Sequence, residues 1–129
     1  MNESLDILII DDDPEILKAV TILLKHRGHR PMTTAAEDTA VIVELRKGNY
    51  LPDIIIMDIL LSGIDGRDLC RELKNEPKTR NIPIIMFSAY PNIEGSAKAA
   101  GADYFLAKPF GWRDLNNAIA EVMAVKQIR

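Results

Sequence analysis

Two features of this chain predict a doubly wound α/β fold, a five-stranded parallel sheet with helices on both faces. Short apolar runs alternate with stretches of helical periodicity, the pattern of repeated βα units. The run Ile54-Ile55-Ile56-Met57 is apolar on both parities, as a strand covered on both faces must be. The 129 residues suit one core, so residues 1–129 read as a single domain.

The elements follow in order. A first strand at about Asp6–Ile10 leads to Asp13, which caps a helix that begins on Pro14. Proline is tolerated there because its missing N–H has no helical partner to lose. Ile16, Leu17, Val20, Leu23 and Leu24 share one face of this helix, and Gly28 stops it. A weaker second strand falls near Arg30–Thr33. The second helix, about Glu37–Lys47, carries Ala40, Val41, Val43 and Leu45 and ends at Gly48. The third strand is Asp53–Met57. A third helix follows Asp65-Gly66 and turns Leu69, Cys70 and Leu73 inward. Pro83–Phe87 form the fourth strand. A short fourth helix lies within Ile93–Ala100 and stops at Gly101. Tyr104–Ala107 form the fifth strand. The last helix, about Trp112–Lys126, buries Leu115, Ala118, Ile119, Val122 and Met123. Right-handed crossovers restrict the winding, and the common order for five such units is 2-1-3-4-5, the flavodoxin-like (βα)5 arrangement.

Composition narrows the function. Net charge is -3 and no basic stripe exists, which argues against direct nucleic-acid binding. One cysteine, Cys70, leaves no internal disulfide framework and fits a reducing compartment. The start Met1-Asn2-Glu3-Ser4 lacks a secretory pattern, and no apolar run approaches a membrane span of roughly 20 residues. A cytoplasmic protein with no membrane partner is expected.

The chemistry sits at the strand ends. Leu8-Ile9-Ile10 runs into Asp11-Asp12-Asp13, Ile54–Met57 into Asp58, Ile84–Phe87 into Ser88, and Phe105-Leu106-Ala107 into Lys108. A parallel sheet gathers these ends at one edge, where ligands bind at the switch point. Order 2-1-3-4-5 puts Asp11, Asp12 and Asp58 side by side. Two carboxylates about 4 Å apart repel by roughly 4 kcal/mol at an effective dielectric near 20, so one is protonated or a cation sits among them. An all-oxygen site beside a phosphate suits Mg²⁺. Asp58, alone at its strand end, is the best-placed nucleophile for an acyl phosphate. Lys108 is suited to neutralise the transferring group, and Ser88 to donate to a phosphoryl oxygen.

Four segments carry a family resemblance: Ile9-Ile10-Asp11-Asp12-Asp13-Pro14, Met57–Gly66, Ile84–Ala89 and Gly101–Phe110. In that order and spacing the chain resembles the receiver domains of bacterial response regulators, over essentially its whole length. The resemblance implies a phosphorylation-dependent switch that takes a phosphoryl group from a phosphohistidine onto Asp58 and catalyses its own phosphorylation and dephosphorylation. It implies that Asp12 and Asp58 bind Mg²⁺ directly, joined by the Leu60 backbone carbonyl, with Asp11 acting partly through water. It implies that Ser88 and Phe105 are switch positions and that the Lys108–Pro109 bond is cis. Implied partners are a histidine kinase or histidine phosphotransfer protein and a downstream effector protein, the domain itself being a monomer or weak dimer.

Three departures stand out. Ser62 replaces a usual proline. Leu60 and Tyr90 put bulky groups at the two variable positions flanking the site, an arrangement expected to hinder attacking water and lengthen the phosphoryl lifetime. The Ser88–Gly101 stretch is short and contains Pro91 and Gly95, so helix four is expected to be stunted. Two other functions compete. Asp11 and Asp13 have the spacing of haloacid-dehalogenase-type phosphatases, although Pro14 and Glu15 do not continue that motif. A receiver-like module serving only as a binding surface is the other. Taken alone, Asp13 is a helix cap, His26 and His29 lack further metal ligands, Cys70 is a small apolar group, and Trp112 is a candidate exposed aromatic.

Overall fold

The computed structural model describes residues 4–35, 39–61 and 63–128. Strands β1 (Asp6–Ile10), β2 (Arg30–Thr34) and β3 (Ile54–Asp58) are followed by two short strands, β4 (Leu60–Leu61) and β5 (Ile64–Asp65). Strands β6 (Ile84–Ser88) and β7 (Tyr104–Ala107) complete the set. The helices are α1 (Pro14–His26), α2 (Thr39–Lys47), α3 (Gly66–Asn75), α4 (Glu94–Ala99) and α5 (Trp112–Ile128). The main sheet has order β2-β1-β3-β6-β7 and is parallel throughout. That is the expected 2-1-3-4-5 layout once β4 and β5, an antiparallel ribbon of their own, are set aside. Sequence patterning missed the ribbon because two-residue strands carry no periodicity.

Alternation along the strands divides the core into two layers. Leu8, Ile10, Ile55, Met57, Ile84 and Met86 pack against α2, α3 and α4 through Ile42, Leu45, Leu69, Cys70, Leu73, Ala97 and Ala100. Ile7, Ile9, Ile54, Ile56, Ile85 and Phe87 pack against α1 and α5 through Val20, Leu24, Leu115, Ala118, Ile119 and Val122. A strand whose two parities feed two separate helical layers must be apolar at every position, which is why β3 and β6 read as continuous apolar runs.

The elements match the expected ones to within a residue or two, with instructive differences. β3 and β6 each run one residue further and hold Asp58 and Ser88 as their last ladder residues. The expected start of the second helix at Glu37 lies outside the described residues, as does Ser62. On α2 the inward residues are Ile42 and Leu45, whereas Val43 is exposed. Helix α4 is stunted, as expected. At α1, Asp13 accepts the Glu15 N–H at 3.0 Å, and Gly28 takes a positive φ of 86° beyond the helix end. A tie that the sequence did not suggest closes the edge opposite the strand tips. Lys74 Nζ donates to Asp103 Oδ2 at 2.7 Å and to the Ile82 carbonyl at 2.9 Å, joining α3 to the starts of β6 and β7.

Candidate functional site at the strand tips

Asp11 follows β1 and is wholly buried, its backbone N–H donating to the Thr34 carbonyl at 3.2 Å. One carboxylate oxygen, Oδ1, accepts the Asp13 N–H at 2.8 Å. The other, Oδ2, is buried with no hydrogen-bond partner and has Lys108 Nζ 3.6 Å away. Burial, reinforced by the negative charges of Asp58 and Asp12, holds the Asp11 carboxyl above the ordinary carboxylate range, against the opposing pull of the Asp13 amide and Lys108.

Asp58 closes β3 with its carboxylate held at both oxygens. Lys108 Nζ donates to Oδ2 at 2.9 Å, and the Leu60 N–H donates to Oδ1 at 3.1 Å. Lys108 is aimed there by the ladder: β6 and β7 pair Ser88 with Ala107, and the Lys108 N–H continues to the Ser88 carbonyl at 2.8 Å. The Lys108–Pro109 peptide is cis, as expected. Beneath the ammonium lies the Phe87 ring, 4.7 Å from Nζ to its centroid. This cation–π contact was not legible in the sequence.

Ser88 is buried at the end of β6, and its Oγ accepts the Tyr90 N–H at 3.1 Å. Phe105 is half-buried against the layer of α2, α3 and α4. Leu60 and Tyr90 are both exposed. Asp12 is half-buried directly after Asp11. Asp13 is turned to its cap role, its Oδ1 accepting the Glu15 N–H. His29 lies at the far end of α1, where Nδ1 accepts the Leu5 N–H at 3.2 Å. Trp112 is exposed, with the Arg27 and Arg113 guanidinium carbons 4.8 Å and 5.3 Å from its ring centroids.

The donor set fits a hard cation. A buried Asp11 oxygen with no hydrogen-bond partner, beside Asp58, leaves negative charge that Lys108 alone does not balance. Among the described residues no three His, Cys, Asp or Glu side chains form a metal cage. The carboxylate oxygens of Asp11 and Asp58 suit Mg²⁺, which takes one or two carboxylates and fills its shell with water and phosphate oxygens.

Fold and site together define a class: a doubly wound α/β domain whose switch-point crevice holds an acidic cluster tied to one lysine. The model of the response regulator receiver domain matches residues 7–120, and the chain belongs to that family. It is 34% identical over 123 residues to the DNA-binding dual master transcriptional regulator RpaA of Synechocystis sp., covering 92% of this chain and 48% of that protein. The chain thus spans about half the length of the curated relatives it matches. Among solved structures, a response regulator from Chloroflexus aurantiacus superposes with a TM-score of 0.84 at 31% identity, covering 95% of this chain and 99% of that one. The receiver domain of the sensor histidine kinase PA1611 of Pseudomonas aeruginosa gives 0.79 at 25% identity, with 95% and 99% covered. That structure has a magnesium ion coordinated in its active-site cleft.

Proposed function

We infer that this domain is a phosphorylation-dependent signalling switch with Asp58 as its phosphoacceptor. The observation that carries the reading is Lys108 Nζ at 2.9 Å from Asp58 Oδ2, beside the buried Asp11. The donor is a phosphohistidine on a histidine kinase or a histidine phosphotransfer protein. An Asp58 oxygen attacks phosphorus, the P–N bond to imidazole breaks, and the imidazole leaves with the bonding pair and takes up a proton. The product is an acyl phosphate on Asp58. Hydrolysis of that acyl phosphate by water resets the switch. Asp58 gains one P–O bond without itself being oxidised or reduced, so no redox partner enters.

Each residue has a defined task. Asp11, Asp12, Asp58 and the Leu60 carbonyl would hold Mg²⁺, which supplies charge neutralisation for the transferring group. Lys108 pairs with a phosphoryl oxygen once the Asp58 carboxylate charge has moved onto phosphate. Ser88 gives up its bond with the Tyr90 amide and donates to another phosphoryl oxygen. Phe105 follows as the aromatic switch, and the extra charge of about -1.5 to -2 changes the surface that a downstream effector protein reads. The domain acts in the cytoplasm as a monomer or weak dimer. Incubation with acetyl phosphate and Mg²⁺, followed by intact mass, tests the reading. One phosphoryl group should appear in the parent and vanish in Asp58→Ala. Steady release of phosphate with no covalent adduct would reject it.

A further inference from the structure

The Asp58 carboxylate is gripped on two sides, and on one of them Lys108 Nζ holds Oδ2. On the other side, Asp58 Oδ1 accepts the Leu60 N–H. Leu60 is the ladder partner of Asp65 in the β4–β5 ribbon. Asp65 is in turn forked by Arg67, whose Nε reaches Oδ1 at 3.0 Å and whose Nη2 reaches Oδ2 at 2.7 Å. The remaining guanidinium nitrogen, Nη1, leaves this pair and donates to Ser96 Oγ on α4 at 3.1 Å. Ser96 Oγ is itself anchored on the Ile93 carbonyl at 3.2 Å. The turn into α3 is tightly packed at Gly66. A Cβ on Gly66 would stand 2.4 Å from the Asp58 carbonyl oxygen, and the Gly66 N–H donates to the Ile59 carbonyl at 2.7 Å.

We propose that Arg67, anchored on Ser96 of α4, is a positioning residue for Asp58. By locking Asp65 it fixes the paired Leu60, and through the Leu60 amide it sets the rotation of the Asp58 carboxylate. The proposal rests on Asp58 being the phosphoacceptor. A carboxylate tethered at one oxygen still rotates; the second tether, from Leu60, removes that freedom. An amide bond to a carboxylate is charge-assisted, and it weakens when the carboxylate becomes a neutral acyl oxygen. The grip on Leu60 therefore loosens on phosphorylation. By linkage, the hold of α4 on Arg67 and the state of Asp58 influence each other in both directions. Arginine serves this better than lysine, because its planar fork reaches two acceptors at once while lysine offers a point charge.

Amide exchange measured residue by residue in the unphosphorylated protein tests the positioning. In Arg67→Ala the Leu60 amide should exchange about fivefold faster, the change that a half-exposed ion pair supports. Ser96→Ala should shift it the same way, and Arg67→Lys should restore part of the protection. Ile56 and Met86, in the central strands, should keep parental rates. If Leu60 exchanges at the parental rate, or accelerates only in step with Ile56 and Met86, the proposal is overturned. A second arm follows phosphoryl gain from acetyl phosphate with Mg²⁺. Gain should be about fivefold slower in Arg67→Ala and partly recovered in Arg67→Lys. A parent that gains no phosphoryl group sinks the phosphoacceptor reading, and Leu60 exchange alone then decides the positioning.

Discussion

Lys108 and Asp58, fifty positions apart in the chain, meet at 2.9 Å, with the ammonium resting over the Phe87 ring and its second carboxylate, Asp11, at 3.6 Å. Removing this lysine should cost phosphoryl transfer roughly a hundredfold or more, the usual loss when a preorganised charge at the reacting group is deleted. The rate of mass gain in Lys108→Ala, against the parent under the same donor concentration, measures it. A loss of less than threefold would dissociate Lys108 from the chemistry.

Magnesium should raise the melting temperature, because a cation held by the proposed acidic site would favour the folded chain over the unfolded one. At a hundred times its dissociation constant the gain is about 2.7 kcal/mol. Asp12→Ala should abolish that gain. Thermal melts with and without Mg²⁺ check this, and an unchanged response in the variant would remove Asp12 from the ligand set.

Leu60 and Tyr90 are both exposed, two residues beyond Asp58 and Ser88 respectively, and the expectation is that they crowd water attacking a phosphorylated Asp58. Replacing Leu60 with asparagine should shorten the phosphoryl lifetime, because a smaller polar group admits and orients water. Decay of the phosphorylated species followed by mass gives the answer; equal lifetimes would clear Leu60 of this role.

Gly66→Ala should destabilise the domain by about 2 kcal/mol, since the new methyl meets backbone oxygens that have no side-chain freedom to retreat. The urea midpoint reports the loss. Alanine at Gly95, where a Cβ meets nothing within 4 Å, should cost far less and serves as the control.

His29 makes stability depend on pH. Burial first, then the charges of Arg27 and Arg30, hold its imidazole below the ordinary value of 6.5, and Nδ1 must stay unprotonated to accept the Leu5 N–H. The unfolded chain therefore binds this proton at higher pH than the folded one. The contribution is complete above about pH 6.5 and is lost as pH falls from there toward the folded value. Urea midpoints between about pH 5 and 7.5 should fall on acidification, less steeply in His29→Asn. Identical slopes would mean that another group titrates.

That Asp11, Asp58, Ser88 and Lys108 fall at strand ends was legible in advance, because each directly follows an apolar run. Strand ends, the Asp13 cap, the stop at Gly28 and the short α4 are written in a few neighbouring residues. The inward face of α2 was less legible: Val41, Ile42 and Val43 are consecutive apolar residues, so periodicity alone does not choose Ile42 over Val43. The ribbon of Leu60–Leu61 with Ile64–Asp65 was not legible at all, since it repeats nothing.

By itself, then, the order of residues determined which elements form, how they wind and which side chains arrive at the strand tips, since hydrophobic period, capping and turn chemistry act over a few residues. Tertiary structure alone decided which arriving groups touch: Lys108 on Asp58, Phe87 under Lys108, Arg67 on Ser96. Such contacts depend on how separate elements are brought together by the sheet and its crossovers, and no local pattern encodes a distance between residues that far apart in the chain.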